Sequence, residues 1–189
     1  MKKIPRISIS EEMRKYAKIE SEKRDAYIKH HFEVNHLSYN ERDELGFVGE
    51  FACCKFLGID WKKNIRDNYL TIDDFDFIVK NKKIDVKTET VPTKYAKKIL
   101  RKEISDNERY GRRLINKGQF ALLQKYDIVI FSLFAREHLD FWFPLGYLET
   151  HIIIKDYPPT DKRLDGGFYP FAGSPVPTSA LKPITDLLW

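Results

Sequence analysis

The chain has 189 residues, 33 Lys and Arg against 28 Asp and Glu, a formal charge of +5 at pH 7, and 42% apolar residues, with an aromatic share of 14%. That length supports one domain with a real core, and the composition excludes a disordered polyelectrolyte, a collagen-like chain and a low-complexity one. Apolar runs reach only about four residues, as at Ile128 to Phe131, against the roughly 20 that a membrane-crossing helix needs, so no transmembrane helix is expected.

The opening MKKIPRISISEEMRKY has early Lys and Arg but no apolar stretch or small-residue cleavage site behind them, so export by a cleaved signal is not expected. Cys53 and Cys54 are adjacent. A disulfide between them would be strained and would staple nothing, which suits a reducing, cytoplasmic setting.

Residues 10 to about 34 lack Pro and Gly, and Ser8 with Glu11 has capping-box spacing, which predicts a surface helix. Ser38 with Glu41 opens a second helix to about Leu57, stopped by Gly58. On its wheel Leu45, Val48, Ala52 and Phe56 form one apolar stripe and Phe47, Phe51 and Cys54 another, so this helix should be buried nearly all round. From Tyr69 to Glu89 the period becomes two: Phe75, Phe77 and Val79 alternate with Asp76 and Ile78, then Ile84 and Val86 with Asp85 and Lys87. This predicts a hairpin turning at Asn81-Lys82.

Lys94 to Lys117 then holds nine basic residues (Lys94, Lys97, Lys98, Arg101, Lys102, Arg109, Arg112, Arg113, Lys117) against three acidic ones, a net of +6 that leaves −1 for the rest of the chain. Residues 126–134 and 139–143 read as a strand pair, followed by a short extended piece at His151 to Ile154. With five prolines and three glycines, Asp156 to Pro177 reads as one long surface loop, and Leu181 to Leu188 as a short terminal segment. The expected organisation is a single domain over 1–189: a helical extension (1–37), a core (38–155) and a proline-rich loop with a C-terminal segment (156–189).

A two-residue loop at Asn81-Lys82 would set Asp76 opposite Lys87 and Ile78 opposite Asp85. Asp76, Asp85 and Lys87 would then share a face, with the carboxylates as diagonal neighbours roughly 7–8 Å apart. A three-residue loop would put Asp85 on the other face. Paired carboxylates suit a hard cation such as Mg²⁺, and an adjacent ammonium can hold an attacking water or screen charge developing on a phosphate. These are the parts of a phosphodiester hydrolase. Glu50 is a third acid, on the nearly all-apolar helix with Gly46 and Gly49 beside it. Such a carboxylate needs a partner, either a metal or Lys87. Clustered Lys and Arg directly after this hairpin point to contacts with nucleic-acid phosphates.

Taken in order, GFVGE (46–50), DFDFIV (74–79) and IDVKT (84–88) resemble the PD-(D/E)xK nuclease superfamily, the restriction-endonuclease-like fold. The resemblance covers Gly46 to about Leu148, and ALKPITDLL near the end resembles a closing segment of some members. It implies an α/β fold with a mixed central β-sheet flanked by helices. Asp76, Asp85 and the Val86 carbonyl would be metal ligands, with Glu50 an accessory or water-mediated one and Lys87 beside the attacking water. It further implies one or two Mg²⁺ ions, with Mn²⁺ able to substitute, and cleavage of DNA, sometimes RNA, to leave a 5′-phosphate. Asp74 is the alternative to Asp76 as ligand, and Phe75 stands where the family often has proline. Because two strands need two active sites, the resemblance also implies a possible homodimer on duplex DNA.

The expected activity is thus an Mg²⁺-dependent endonuclease gripping nucleic acid through Lys94, Lys97, Lys98, Arg101, Arg109, Arg112, Arg113 and Lys117. Two rival readings are a catalytically silent nucleic-acid-binding module on the same fold and a protein-interaction domain with a coincidental acid cluster. His30, His31, His36, His138 and His151 have no zinc spacing, and no P-loop, Rossmann fingerprint or nucleophile elbow is present.

Overall fold

One strand and one helix organise the molecule, a computed structural model that describes residues 5–25, 39–67, 69 and 76–188. The strand is β5 (Ile128–Ala135), buried at every position as a strand covered on both faces must be. It pairs in parallel with β3 (Lys82–Val91) and antiparallel with β6 (His138–Glu149). The short strands β1 (Ile7–Ser8) and β2 (Phe77–Val79) complete a mixed five-stranded sheet of order β1-β6-β5-β3-β2.

The helix is α2 (Tyr39–Phe56), lying on one face of that sheet. Phe47, Val48, Phe51 and Ala52 share a core with Ile84, Val86, Ile130 and Phe134, and α1 (Glu11–Asp25) adds Met13 and Ala17 to it. Residues 47–54 of α2 are therefore all buried, as two apolar stripes require. The approach of α2 to β3 is so close that a Cβ on Gly49 would stand 2.0 Å from the Thr88 hydroxyl. Only glycine fits there.

The other face is covered by α3 (Thr93–Leu100) and by a second sheet of β4 (Arg112–Asn116), β7 (Thr160–Lys162) and β8 (Phe168–Pro177), in the order β4-β8-β7. Ile115 and Val176 pack on Val129, Phe131 and Leu148, while Ala96 and Ile99 pack on Val91 and Leu133. Two short helices, α4 (Lys117–Phe120) and α5 (Thr150–Asp156), flank this layer.

The α/β architecture with a mixed sheet agrees with expectation, and several local features differ. The cap of α1 is Ser10, whose Oγ accepts the Met13 N–H at 3.2 Å, whereas Ser8 lies in β1. The hairpin turns at Lys80-Asn81, both left-handed (φ 48° and 62°), and pairs Val79 with Lys82. Ile78 therefore faces Lys83 rather than Asp85, so each partner sits two residues earlier than predicted, an even shift that keeps the facing parity. His151 to Ile154 is helical, with Ile153 buried, so packing overrides the extended preference of consecutive isoleucines.

The proline-rich stretch contains β8 rather than one long loop. Pro175 and Pro177 fall beyond Gly173, where β7 pairing has ended and β8 has β4 as its partner, so their missing N–H groups break no ladder. The segments expected as an N-terminal extension and a C-terminal loop are thus built into the two sheets through β1 and β8. Ser38, Asp74, Phe75, His30, His31 and His36 lie outside the described residues. Among the described residues no helix is long and apolar enough to cross a membrane.

Candidate active site

Alternation along β3 sends Ile84 and Val86 into the core beneath α2 and turns Asp85, Lys87 and Glu89 to the other side. The backbone groups alternate too. Lys83 O accepts from Asp127 N (2.9 Å) and Lys87 O from Ser132 Oγ (3.3 Å), both towards β5. Ile84 O instead accepts from Asp76 N (2.9 Å), towards β2. The N–H and C=O of Val86 share that β2 side, but β2 begins at Phe77 and supplies no backbone partner there. The Asp76 carboxylate fills the gap, its Oδ2 accepting the Val86 N–H at 2.7 Å. Asp76 consequently lies at the sheet's own edge, between the two faces.

This notch is where the acids meet. Glu50 comes from α2 and Asp85 from β3, and both are close enough to Asp76 for their charges to act on it. Lys87 Nζ donates to Asp85 Oδ1 at 2.9 Å. Arg66 stands between the other two, with Nη1 3.5 Å from Glu50 Oε2 and Nη2 3.9 Å from Asp76 Oδ1. Asn64 Nδ2 donates to Glu50 Oε2 at 3.1 Å. The predicted set of Glu50, Asp76, Asp85 and Lys87 is therefore brought together, although through a notch at the start of β2 rather than on one flat face.

The electrostatics follow from burial. Asp76 is held well above the ordinary carboxyl range by loss of solvent and by Glu50 and Asp85, against which Lys87 and the Val86 N–H act. Glu50 is raised as well, by burial first, with Arg66, Arg24 and Asn64 opposing. Burial alone would lower Lys87, but Asp85, Asp76 and Glu50 outweigh it and hold the ammonium above its usual value. The lysine stays charged at neutral pH.

Asp85 Oδ2 is buried and has no hydrogen-bond partner among the described residues. An orphaned buried carboxylate oxygen beside a second carboxylate and a main-chain carbonyl aimed at the same edge is a hard, all-oxygen donor set, and it fits Mg²⁺. Among the described residues no three His, Cys, Asp or Glu side chains form a metal-holding group by themselves. Glu50 Oε2 is engaged by Asn64 and Arg66 and Asp76 Oδ2 by the Val86 N–H, while Asp85 Oδ2 is left without a hydrogen bond among the described residues.

The basic segment divides. Lys94, Lys97, Lys98 and Arg101 recur at helical spacing on the exposed side of α3 and just past its end, opposite the buried Ala96 and Ile99. Lys98 is paired with Glu108; Arg109 and Lys117 are also exposed. Arg112 is half-buried and donates to Asp106 O (3.2 Å) and Pro175 O (3.1 Å), which makes it a staple between loop and strand. Arg113 corrects the prediction. It is 2% exposed and ion-paired with Glu89, so it faces the interior rather than a phosphate. Burial pulls its guanidinium down to about 9, still high enough to remain charged at neutral pH.

Sequence reasoning missed Arg66 and Asn64, which lie in and just after the 3-10 turn Trp61–Asn64, where no periodicity marks them. The available signal was Glu50 itself, a buried acid requiring a cation. No protein-family model, curated protein or solved structure matches the chain.

Proposed function

We propose that the chain is a metal-dependent nuclease of the PD-(D/E)xK type, on a restriction-endonuclease-like core, hydrolysing phosphodiester bonds with DNA as its main substrate. The observation that supports this reading best is the meeting of Asp76, Asp85 and Lys87 at the start of β2, joined there by Glu50 from α2. Asp76, Asp85 and the Val86 carbonyl would hold Mg²⁺ or Mn²⁺. Such an ion, when bound, supplies Lewis-acid polarisation of the phosphate and a more acidic water.

The chain's own residues do the rest. Water attacks phosphorus, the bond to the 3′ oxygen breaks, and the products are a 5′-phosphate and a 3′-hydroxyl. The Lys87 ammonium holds that water and offsets the charge that builds on the phosphate. Glu50 acts at one remove, through the shared charge of the cluster. The exposed α3 row of Lys94, Lys97, Lys98 and Arg101, with Arg109 and Lys117, grips backbone phosphates irrespective of sequence. Cutting both strands of a duplex would engage two copies of the chain.

Incubating the metal-stripped protein with duplex, single-stranded, flapped and branched DNA and with RNA, with and without Mg²⁺ or Mn²⁺, tests the proposal. Metal-dependent products ending in 5′-phosphate are expected. Salt-dependent binding without cutting on every substrate would instead identify a silent nucleic-acid-binding module.

A further inference from the structure

The loop that carries Arg66 is anchored by α1. Glu20 is fully buried, and its carboxylate accepts the Arg66 main-chain N–H at 3.0 Å and the Tyr69 hydroxyl at 2.7 Å. Lys23, bonded to the same carboxylate at 2.8 Å, donates to the Arg66 carbonyl at 3.0 Å. Both peptide groups of Arg66 are thereby tied to one turn of α1. Its guanidinium lies 5.8 Å from the Phe47 ring centroid and 5.5 Å from that of Tyr69, which is cation–π range on two sides. From this seat it faces Glu50 and Asp76, with its side chain 16% exposed.

A guanidinium seated this way has a fixed position rather than a roaming one, and it stands against one of the two carboxylates assigned to the metal. We propose that Arg66 is the resident counter-cation of the acid cluster, competing with a divalent metal for Asp76 and Glu50, so that α1, through Glu20 and Lys23, sets how readily the site loads. This inference rests on the nuclease reading above. Without Arg66 the three carboxylates have less opposing charge, so the metal-free protein loses stability and the metal gains affinity. With it, the protein folds without metal, and a cation entering the notch must overcome a positive charge already there.

The test is Mn²⁺ titration by calorimetry of the metal-stripped full chain, its Arg66→Gln variant and its Arg66→Lys variant at neutral pH, with thermal unfolding alongside. Arg66→Gln is expected to bind Mn²⁺ about tenfold more tightly or better, to melt lower without metal, and to gain more from metal than the parent does. Arg66→Lys keeps the charge and should stay within about threefold of the parent. Should Arg66→Gln not fold, the parent supplies a second readout, because the NMR signal of the Arg66 Nε–H should move as Mg²⁺ saturates the protein. Metal binding that is equal or weaker in a folded Arg66→Gln protein, or an Arg66 signal unmoved at saturation, overturns the inference and leaves the nuclease reading standing. Absence of metal binding in parent and variants alike overturns both.

Discussion

The carboxylate of Asp76 accepts the main-chain N–H of Val86 at 2.7 Å, so the side chain just before β2 completes the hydrogen-bond ladder of β3 where β2 has not yet begun. Placed there, the carboxylate is only 17% exposed, and loss of solvent together with Glu50 and Asp85 holds it well above its ordinary pKa. In the unfolded chain the same proton leaves near 3.8. The stability that the raised value provides is complete below that unfolded pKa and is lost as pH rises through the folded one. Glu50 is shifted the same way.

Metal-free protein should therefore melt at a lower temperature at about pH 8 than at about pH 5, through these two groups. Asp76→Asn keeps an oxygen for the Val86 N–H and removes the charge. It is expected to flatten that pH dependence, to raise the melting temperature at neutral pH by on the order of a few degrees, and to abolish cutting. Calorimetric melting of parent and variant across pH isolates the effect, because every other titrating group is common to both. A variant that melts lower than the parent at neutral pH would contradict it.

The exposed α3 row is separable from the chemistry. Replacing Lys97 and Arg101 together by Ala should weaken binding to all DNA sequences and reduce the salt slope by up to roughly 0.9 for each lost duplex contact. Cutting at saturating protein should persist. Binding isotherms at several salt concentrations give the slope, and an unchanged slope would place the phosphate contacts elsewhere.

Arg113 should behave oppositely. Removing it leaves Glu89 without its buried partner, and Glu89 is one-third exposed, so the cost falls at the low end for a broken buried pair, about 3 kcal/mol. Arg113→Ala is expected to lower the urea midpoint while the folded protein keeps the parent's salt slope. A lowered slope with unchanged stability would return Arg113 to the DNA surface.

Legibility in the sequence followed local periodicity. The two-residue alternation of Phe77, Val79, Ile84 and Val86 marks the hairpin, and the double apolar stripe of α2 marks a helix buried all round over residues 47–54, with Glu50 among them. The turn was misplaced by one residue because alternation is the same for either position. Which residues take the left-handed conformation decides it, and Lys80, not a glycine, is one of them. β8 was hidden by its prolines: Pro175 and Pro177 lie beyond the stretch paired with β7, and Pro170 falls where the β7–β8 register shifts, facts of pairing rather than of composition. Arg113 looked like its basic neighbours, since an inward and an outward arginine differ only in what a distant strand offers, here Glu89 of β3. Arg66 sits in an aperiodic loop whose shape is set by Glu20, 46 residues earlier.

In the proposed nuclease, Lys87 acts on the reaction beside the acid pair that would hold metal. Single-turnover cleavage at saturating protein, with Mg²⁺, comparing the parent with Lys87→Ala and measuring DNA affinity on the same samples, separates that role from binding. The expected result is cleavage slowed by a factor on the order of 10² or more with affinity little changed, because the ammonium acts on charge that develops only in the transition state. Cleavage by Lys87→Ala as fast as by the parent would contradict the active-site assignment, whatever else the cluster does.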